Sequence, residues 1–189
     1  GIEFGTAVIA PMKSGVANDG GVDLGFSNAR FKDLYLSGGA YLGGTGAANK
    51  LDDYEEGTFT PTIGGSTTDP TVTYDTARFG YYRKIGTMVF VTMRMRTDSV
   101  GGGSGYLEIR GLPFTSESYY SGNVTVSFTN TWAGEPPVGG YVEQSSTYAL
   151  LTYKTSVTGT LNNFLQISDL NTGGNSNDVI MSIVYTSAS

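Results

Sequence analysis

Four acids within five residues, Asp52, Asp53, Glu55 and Glu56, form the densest set of reactive groups in the sequence. Carboxylates so close repel one another unless they are screened, paired or bound to a cation. A pair of them could also act as the acid and nucleophile of a glycosidase. That chemistry needs two carboxyls facing each other across a sugar at about 5–10 Å, in a groove that raises the pKa of one. A short connector offers no such groove, so a solvated connector is the first reading, an inter-subunit ion pair or cation site the second, and catalysis the last. Glu108, Glu117, Glu135 and Glu143 are scattered, and spacing alone does not bring any two together. Histidine and cysteine are both absent. Thiolate nucleophiles, Ser-His-Asp triads, imidazole bases and nearly all protein zinc sites are thereby excluded. No catalytic residue, cofactor-binding residue or metal ligand is assigned.

Two further constellations suggest ligands and are better explained by turns. The segments Asn18–Asp23 and Asn171–Asp178 are rich in oxygen ligands but lack the spacing and closing glutamate of an EF-hand. Gly101–Gly105 lacks the Gly-Lys-Ser/Thr ending of a phosphate cradle, and it reads as a hairpin loop.

The stretch from Ser116 to Tyr148 has the composition of a recognition surface. Tyr119, Tyr120, Trp132, Tyr141 and Tyr148 stand among serine, asparagine, glycine and the pair Pro136-Pro137. Aromatic faces beside amides and hydroxyls give large contact area at low entropic cost, which suits a sugar or a protein epitope. These five residues are the candidate binding set. The competing reading makes Trp132 a core plug and puts Tyr119 and Tyr120 in the core as often as on the surface.

What must position these residues is a set of strands. Val89, Val91, Met93 and Met95 alternate with Phe90, Thr92 and Arg94, the period of a half-buried strand. Arg94 and Arg96 then lie outside the core, either solvated or against acids of a neighbouring subunit, because an unpaired arginine is too costly to bury. The same alternation runs through Val124–Phe128 and Val179–Tyr185. Phe59–Ile63, Val72–Tyr74, Phe79–Lys84, Tyr106–Ile109, Tyr148–Tyr153 and Phe164–Ile167 are further strands between glycine, proline and asparagine clusters. Residues 58–189 are therefore expected to form a β-sandwich or jelly-roll head.

Residues 1–50 are different. Gly15, Asn18-Asp19-Gly20-Gly21, Gly25, Gly38-Gly39 and Gly43-Gly44 separate apolar scraps of two to four residues, too short to close a core alone. Identical chains could supply the missing faces, making this part a glycine-rich, intertwined trimeric fibre segment joined to the head by an acidic connector at 51–57. A floppy leader is the alternative.

Composition agrees with an all-β chain. Glycine, at 28 of 189 residues, is about twice its usual frequency, while 13 tyrosines and 9 phenylalanines supply bulk. The net charge of −6 leaves no basic stripe for nucleic acid. No run is long enough for a membrane span, so membrane insertion is not expected.

The segment from Val22 to Gly38, VDLGFSNARFKDLYLSG, resembles a repeat of bacteriophage tail fibres and prophage-encoded fibre proteins. Leu51–Pro61, LDDYEEGTFTP, resembles the connector between shaft and terminal domain in those proteins, with Phe59 where tryptophan is usual. Gly80–Val91, GYYRKIGTMVFV, is similar to the opening strands of such terminal domains. The resemblance implies a homotrimer in the virion, attached to the remainder of the phage tail. It also implies host recognition without identifying the receptor; a cell-surface glycan or an outer-membrane protein is the expected partner, and no enzymatic step is expected. A purely structural fibre segment and a polysaccharide depolymerase are the alternatives, although enzymatic tailspikes usually carry a long β-helix for which this chain is too short.

Overall fold

The computed structural model describes residues 2–4, 8–120, 122–154 and 163–188. It divides into two compact units, Gly1–Gly38 and Gly39–Ser189. In the first, β1 (Ile2–Phe4), β2 (Ile9–Lys13) and β3 (Val16–Ala17) form an antiparallel sheet. Residues 30–37 take neither helix nor strand. Leu24, Phe26, Phe31, Leu34 and Tyr35 are all exposed, Tyr35 to 90%. A segment with so little chain behind each apolar side chain cannot cover them from its own residues.

The second unit opens with a small hairpin of β4 (Ala40–Tyr41) and β5 (Lys50–Leu51). Its main body comprises β6 (Tyr54–Phe59), β7 (Thr62–Gly65), β8 (Thr71–Tyr74), β9 (Phe79–Ile85), β10 (Met88–Gly101), β11 (Leu107–Arg110), β12 (Asn123–Asn130), β13 (Gly139–Val142), β14 (Tyr148–Tyr153), β15 (Asn163–Phe164) and β16 (Ser176–Thr186). The strands pair antiparallel in the order β6-β9-β10-β16-β12-β13-β14-β11-β7, with β8 added to β10 and β15 to β14. The chain is all-β, as expected. The two end strands of this path, β6 and β7, are separated in sequence only by Thr60 and Pro61, so the sheet has to curl until its ends meet. A hydrogen bond from the Ile63 amide to the Tyr74 hydroxyl, 2.6 Å, ties the β7 end back to β8.

Curling places one face of every long strand around a single core. Val89, Val91, Met93 and Met95 of β10 point inward with Val179, Met181, Ile183 and Tyr185 of β16, and they meet Leu107, Ile109 and Leu151 from the opposite half. Burying each such side chain contributes about 1.5–3 kcal/mol against exposure. Tyr185 is fully buried, yet its hydroxyl is satisfied, donating to the Phe114 carbonyl (3.0 Å) and accepting from the Phe114 amide (3.2 Å). Burial pushes its pKa up to about 12.

Two strand expectations and one hairpin expectation change in detail. Phe59–Ile63 is two strands, because Pro61 has no N–H to continue a ladder and the chain crosses there from one end of the sheet to the other. Phe164–Ile167 is strand only at its start and then makes one 3-10 turn, Ile167–Asp169. Gly101–Gly105 does not close a hairpin: β10 pairs with β16, β9 and β8, whereas β11 pairs with β14 and β7. It is the crossover between the halves, pinned where Ser104 and Thr68 exchange backbone hydrogen bonds. Of Asn171–Asp178, only the first five residues form a turn and the rest open β16, with the buried Asn177 side-chain amide donating to Thr97 Oγ1 (2.7 Å) and back to the Asn171 carbonyl (2.8 Å).

Arg94 and Arg96 stand outside the core as the alternation requires, but their partners belong to the same chain. Arg94 makes two bonds to Asp178, 3.0 and 2.7 Å, and Arg96 reaches Asp75 at 2.8 Å.

Candidate functional site

On the half of the sheet formed by β7, β11, β14, β13 and β15, the outward residues are aromatic and polar. Tyr141 of β13 lies opposite Leu150 of β14, and Phe164 of β15 lies opposite Thr152. Tyr106, just before β11, bridges to Gln166. These pairings bring four rings from distant parts of the sequence into a continuous row. Tyr120 meets Tyr141 with centroids 5.3 Å apart, Tyr141 meets Phe164 at 5.9 Å, and Phe164 meets Tyr106 at 5.3 Å, all edge to face. Such contacts hold the rings at fixed angles while leaving their outer faces free. Tyr120 and Tyr106 remain 62% and 45% exposed.

The loop carrying Tyr119 and Tyr120 is anchored from beneath. Buried Ser116 donates its hydroxyl to the Glu143 carbonyl (2.5 Å) and accepts from the Ser146 amide (3.2 Å). The Ser145 amide donates to the Glu117 carbonyl (2.9 Å), and the Glu117 amide to Thr186 (3.0 Å). Tyr119 is exposed and makes no ring contact among the described residues. Ser121 lies outside the described residues.

A charged fork borders the rings. Arg110 of β11, opposite Tyr148 of β14, donates through Nε to Glu108 (2.7 Å), through Nη1 to Asp69 (2.9 Å) and through Nη2 to the Gly65 carbonyl (3.2 Å). Its side chain lies flat across Gly64, where any Cβ would collide with the guanidinium. Asp69 also accepts from the Gly65 amide (3.0 Å), and these two donors hold its carboxyl below the usual range. Tyr141 donates to Glu143 at 3.4 Å, and burial, then the Glu143 charge, pushes its pKa up to about 12. Burial, then Glu108, raises Tyr148 as well. Both phenols are neutral donors at pH 7. Beside Tyr141 a shallow hollow of about 400 Å³ is lined by Val138, Gly139, Gly140, Thr152 and Lys154.

Of the five residues expected from the sequence, Tyr120, Tyr141 and Tyr148 share this face. Trp132 is half-buried against the core, donates its indole N–H to the Asp178 carbonyl (3.4 Å), and makes no ring contact among the described residues. Tyr106, Phe164 and Arg110 lie on the same face. The sequence marks the first two only as strand ends, and their juxtaposition depends on pairing between distant strands.

The acids at 52–56 do not converge. Asp52 pairs with Lys50 (2.9 Å), Asp53 with Lys84, Glu56 with Arg83 (3.5 Å), and Glu55 accepts from the Tyr82 hydroxyl (2.7 Å). Tyr54 to Gly57 are part of β6, and every one of the four acids has its own donor in the same chain. Among the described residues, no three carboxylates gather in metal-holding geometry.

The chain superposes on the crystal structure of Dettilon tailspike protein (gp208) with a TM-score of 0.54 over 70% of its length, at 17% identity. The two share a fold. This chain spans about a quarter of the tailspike, 24% of its length. No protein-family model matches the sequence, and no curated protein matches it.

Proposed function

We propose that this chain is part of a bacteriophage tail fibre or tailspike, lies in the virion, and attaches to the host cell surface through the ring-lined face of its head. The observation that carries this reading is the row Tyr120–Tyr141–Phe164–Tyr106, fixed edge to face on a rigid sheet and bordered by Arg110, Glu108 and Glu143. Exposed rings stack on the apolar faces of sugars while neighbouring phenols, carboxylates and a guanidinium hydrogen-bond to their hydroxyls. Surface carbohydrate is therefore the ligand, with an outer-membrane protein the other host component the resemblance implies. The likeness to a tailspike and the fibre-like segments at 22–38 and 51–61 support the virion location.

The face binds without cutting. Arg110 engages both Glu108 and Asp69, so neither carboxyl is free to serve in an acid–nucleophile pair.

The exposed apolar residues of the first unit support a homotrimer, in which copies cover one another's Phe31, Leu34 and Leu36. Three heads then present three weak sites, and simultaneous engagement raises overall binding by about 10²–10⁴. The test is direct binding of the purified protein to host cells, together with an assay for released reducing ends from host polysaccharide. Binding without release is expected; reducing ends would establish a depolymerase, and neither binding nor release would leave a structural fibre segment.

A further inference from the structure

The opposite half of the sheet turns outward a surface of different character. Its rows run in register across four strands: Phe79, Arg94, Ile180 and Phe128 in one, Tyr81, Thr92, Ser182 and Thr125 in the next, with Phe90 beside Val184. Phe79, Tyr81, Phe90 and Phe128 are each 43–54% exposed. At about 150–250 Å² per aromatic side chain, the four rings leave roughly 400 Å² of apolar surface open to water. Ile85, Met88 and Ile180 extend it, towards the upper end of the roughly 300–600 Å² found as the largest patch on a typical monomer.

The charges on this face identify its occupant. Arg94 is matched by Asp178 and Arg83 by Glu56, both within the chain. The face thus carries no net charge on a chain whose total is −6. A strongly charged partner would find nothing here to pair with, whereas two copies of a chain with net charge −6 meet with least repulsion where the local charges are balanced. On a neutral, apolar face, like can meet like.

We propose that the outer face of β9, β10, β16 and β12 is buried against a second copy of this chain, so that assembly runs through the head as well as the first unit. The assignment rests on the homo-oligomer reading above and adds to it the surface involved; it does not depend on what the ring-lined face binds.

Because the chain has no cysteine, single cysteines report directly. In the full chain, Phe90→Cys and, as a second site, Tyr81→Cys are compared with Tyr106→Cys on the ring-lined face. Each is followed by light scattering, maleimide alkylation rate and cross-linking with a short bifunctional maleimide. The expected result is a multimer in which positions 90 and 81 alkylate at least about tenfold more slowly than position 106 and cross-link chain to chain. A monomer at micromolar concentration overturns both this assignment and the oligomer reading. A multimer in which all three positions alkylate at the same rate overturns this assignment alone.

Discussion

Tyr120 and Tyr141 stand edge to face, with ring planes at 85° and centroids 5.3 Å apart, although one lies on an exposed loop and the other on a strand. The strand ring is half-buried and supports the loop ring, which projects into solvent. Replacing Tyr119 and Tyr120 together with alanine should therefore remove host-cell binding while leaving the melting temperature within a few degrees of wild type, since exposed aromatic contacts add little to the fold. A much lower melting temperature would place these rings in the core.

Trp132 should behave in the opposite way. It packs against the core cluster and its indole N–H reaches the Asp178 carbonyl. Trp132→Ala is expected to cost roughly 2–3 kcal/mol in chemical denaturation, below the figure for a fully buried ring, with cell binding by the folded fraction unchanged. Loss of binding without loss of stability would return Trp132 to the contact surface.

Much of the head is legible in the sequence because period-two alternation reports burial directly. β10, β12 and β16 are found where Val89–Met95, Val124–Phe128 and Val179–Tyr185 alternate. β13 is not, because Gly139 and Gly140 carry no side-chain pattern, and β6 is hidden by its acids, Glu56 pairing with Arg83 and Glu55 accepting from Tyr82 of β9. The ring-lined face is half legible. Tyr120, Tyr141 and Tyr148 announce themselves by composition, but Tyr106 and Phe164 join them only because β11 and β15 both pair with β14. Partners of charged groups were the least legible of all: the sequence set Arg94 against solvent or a neighbouring subunit, and its partner Asp178 lies 84 residues away in the same chain.

That pair is expected to matter more than its counterpart at the rim. The Asp178 side chain is 5% exposed, whereas Arg83 and Glu56 are 71% and 59% exposed. Arg94→Ala leaves a carboxylate shielded from water without its cation, so it should lower the melting temperature well beyond Arg83→Ala. Adding Asp178→Leu should recover part of the loss. Equal effects from the two arginine variants would contradict the burial assigned to Asp178.

Acid should unfold the head through identifiable carboxyls. The Gly65 amide and Arg110 depress Asp69, and the Ala77 amide, with Arg96, depresses Asp75. A carboxyl whose folded pKa lies below its unfolded value contributes stability that is fully present above about pH 4 and is lost as pH falls through the folded value. Melting temperature should be flat from about pH 5 to 8 and decline below about pH 4. The decline should be shallower in an Asp69→Asn/Asp75→Asn variant. At the other extreme, Tyr141 and Tyr185, raised to about 12, favour the neutral phenol in the folded state. Their contribution is complete below about pH 10 and disappears as pH rises through 12, so binding should not vary between about pH 5 and 9.

The central claim, that the ring-lined face is what holds the host, is tested most directly by competition. Purified wild-type chain, added at saturating concentration to host cells, should block adsorption of the phage that carries it, and a Tyr106→Ala/Tyr120→Ala variant of unchanged melting temperature should not. Failure of the wild-type protein to block, or equal blocking by the variant, would contradict the account.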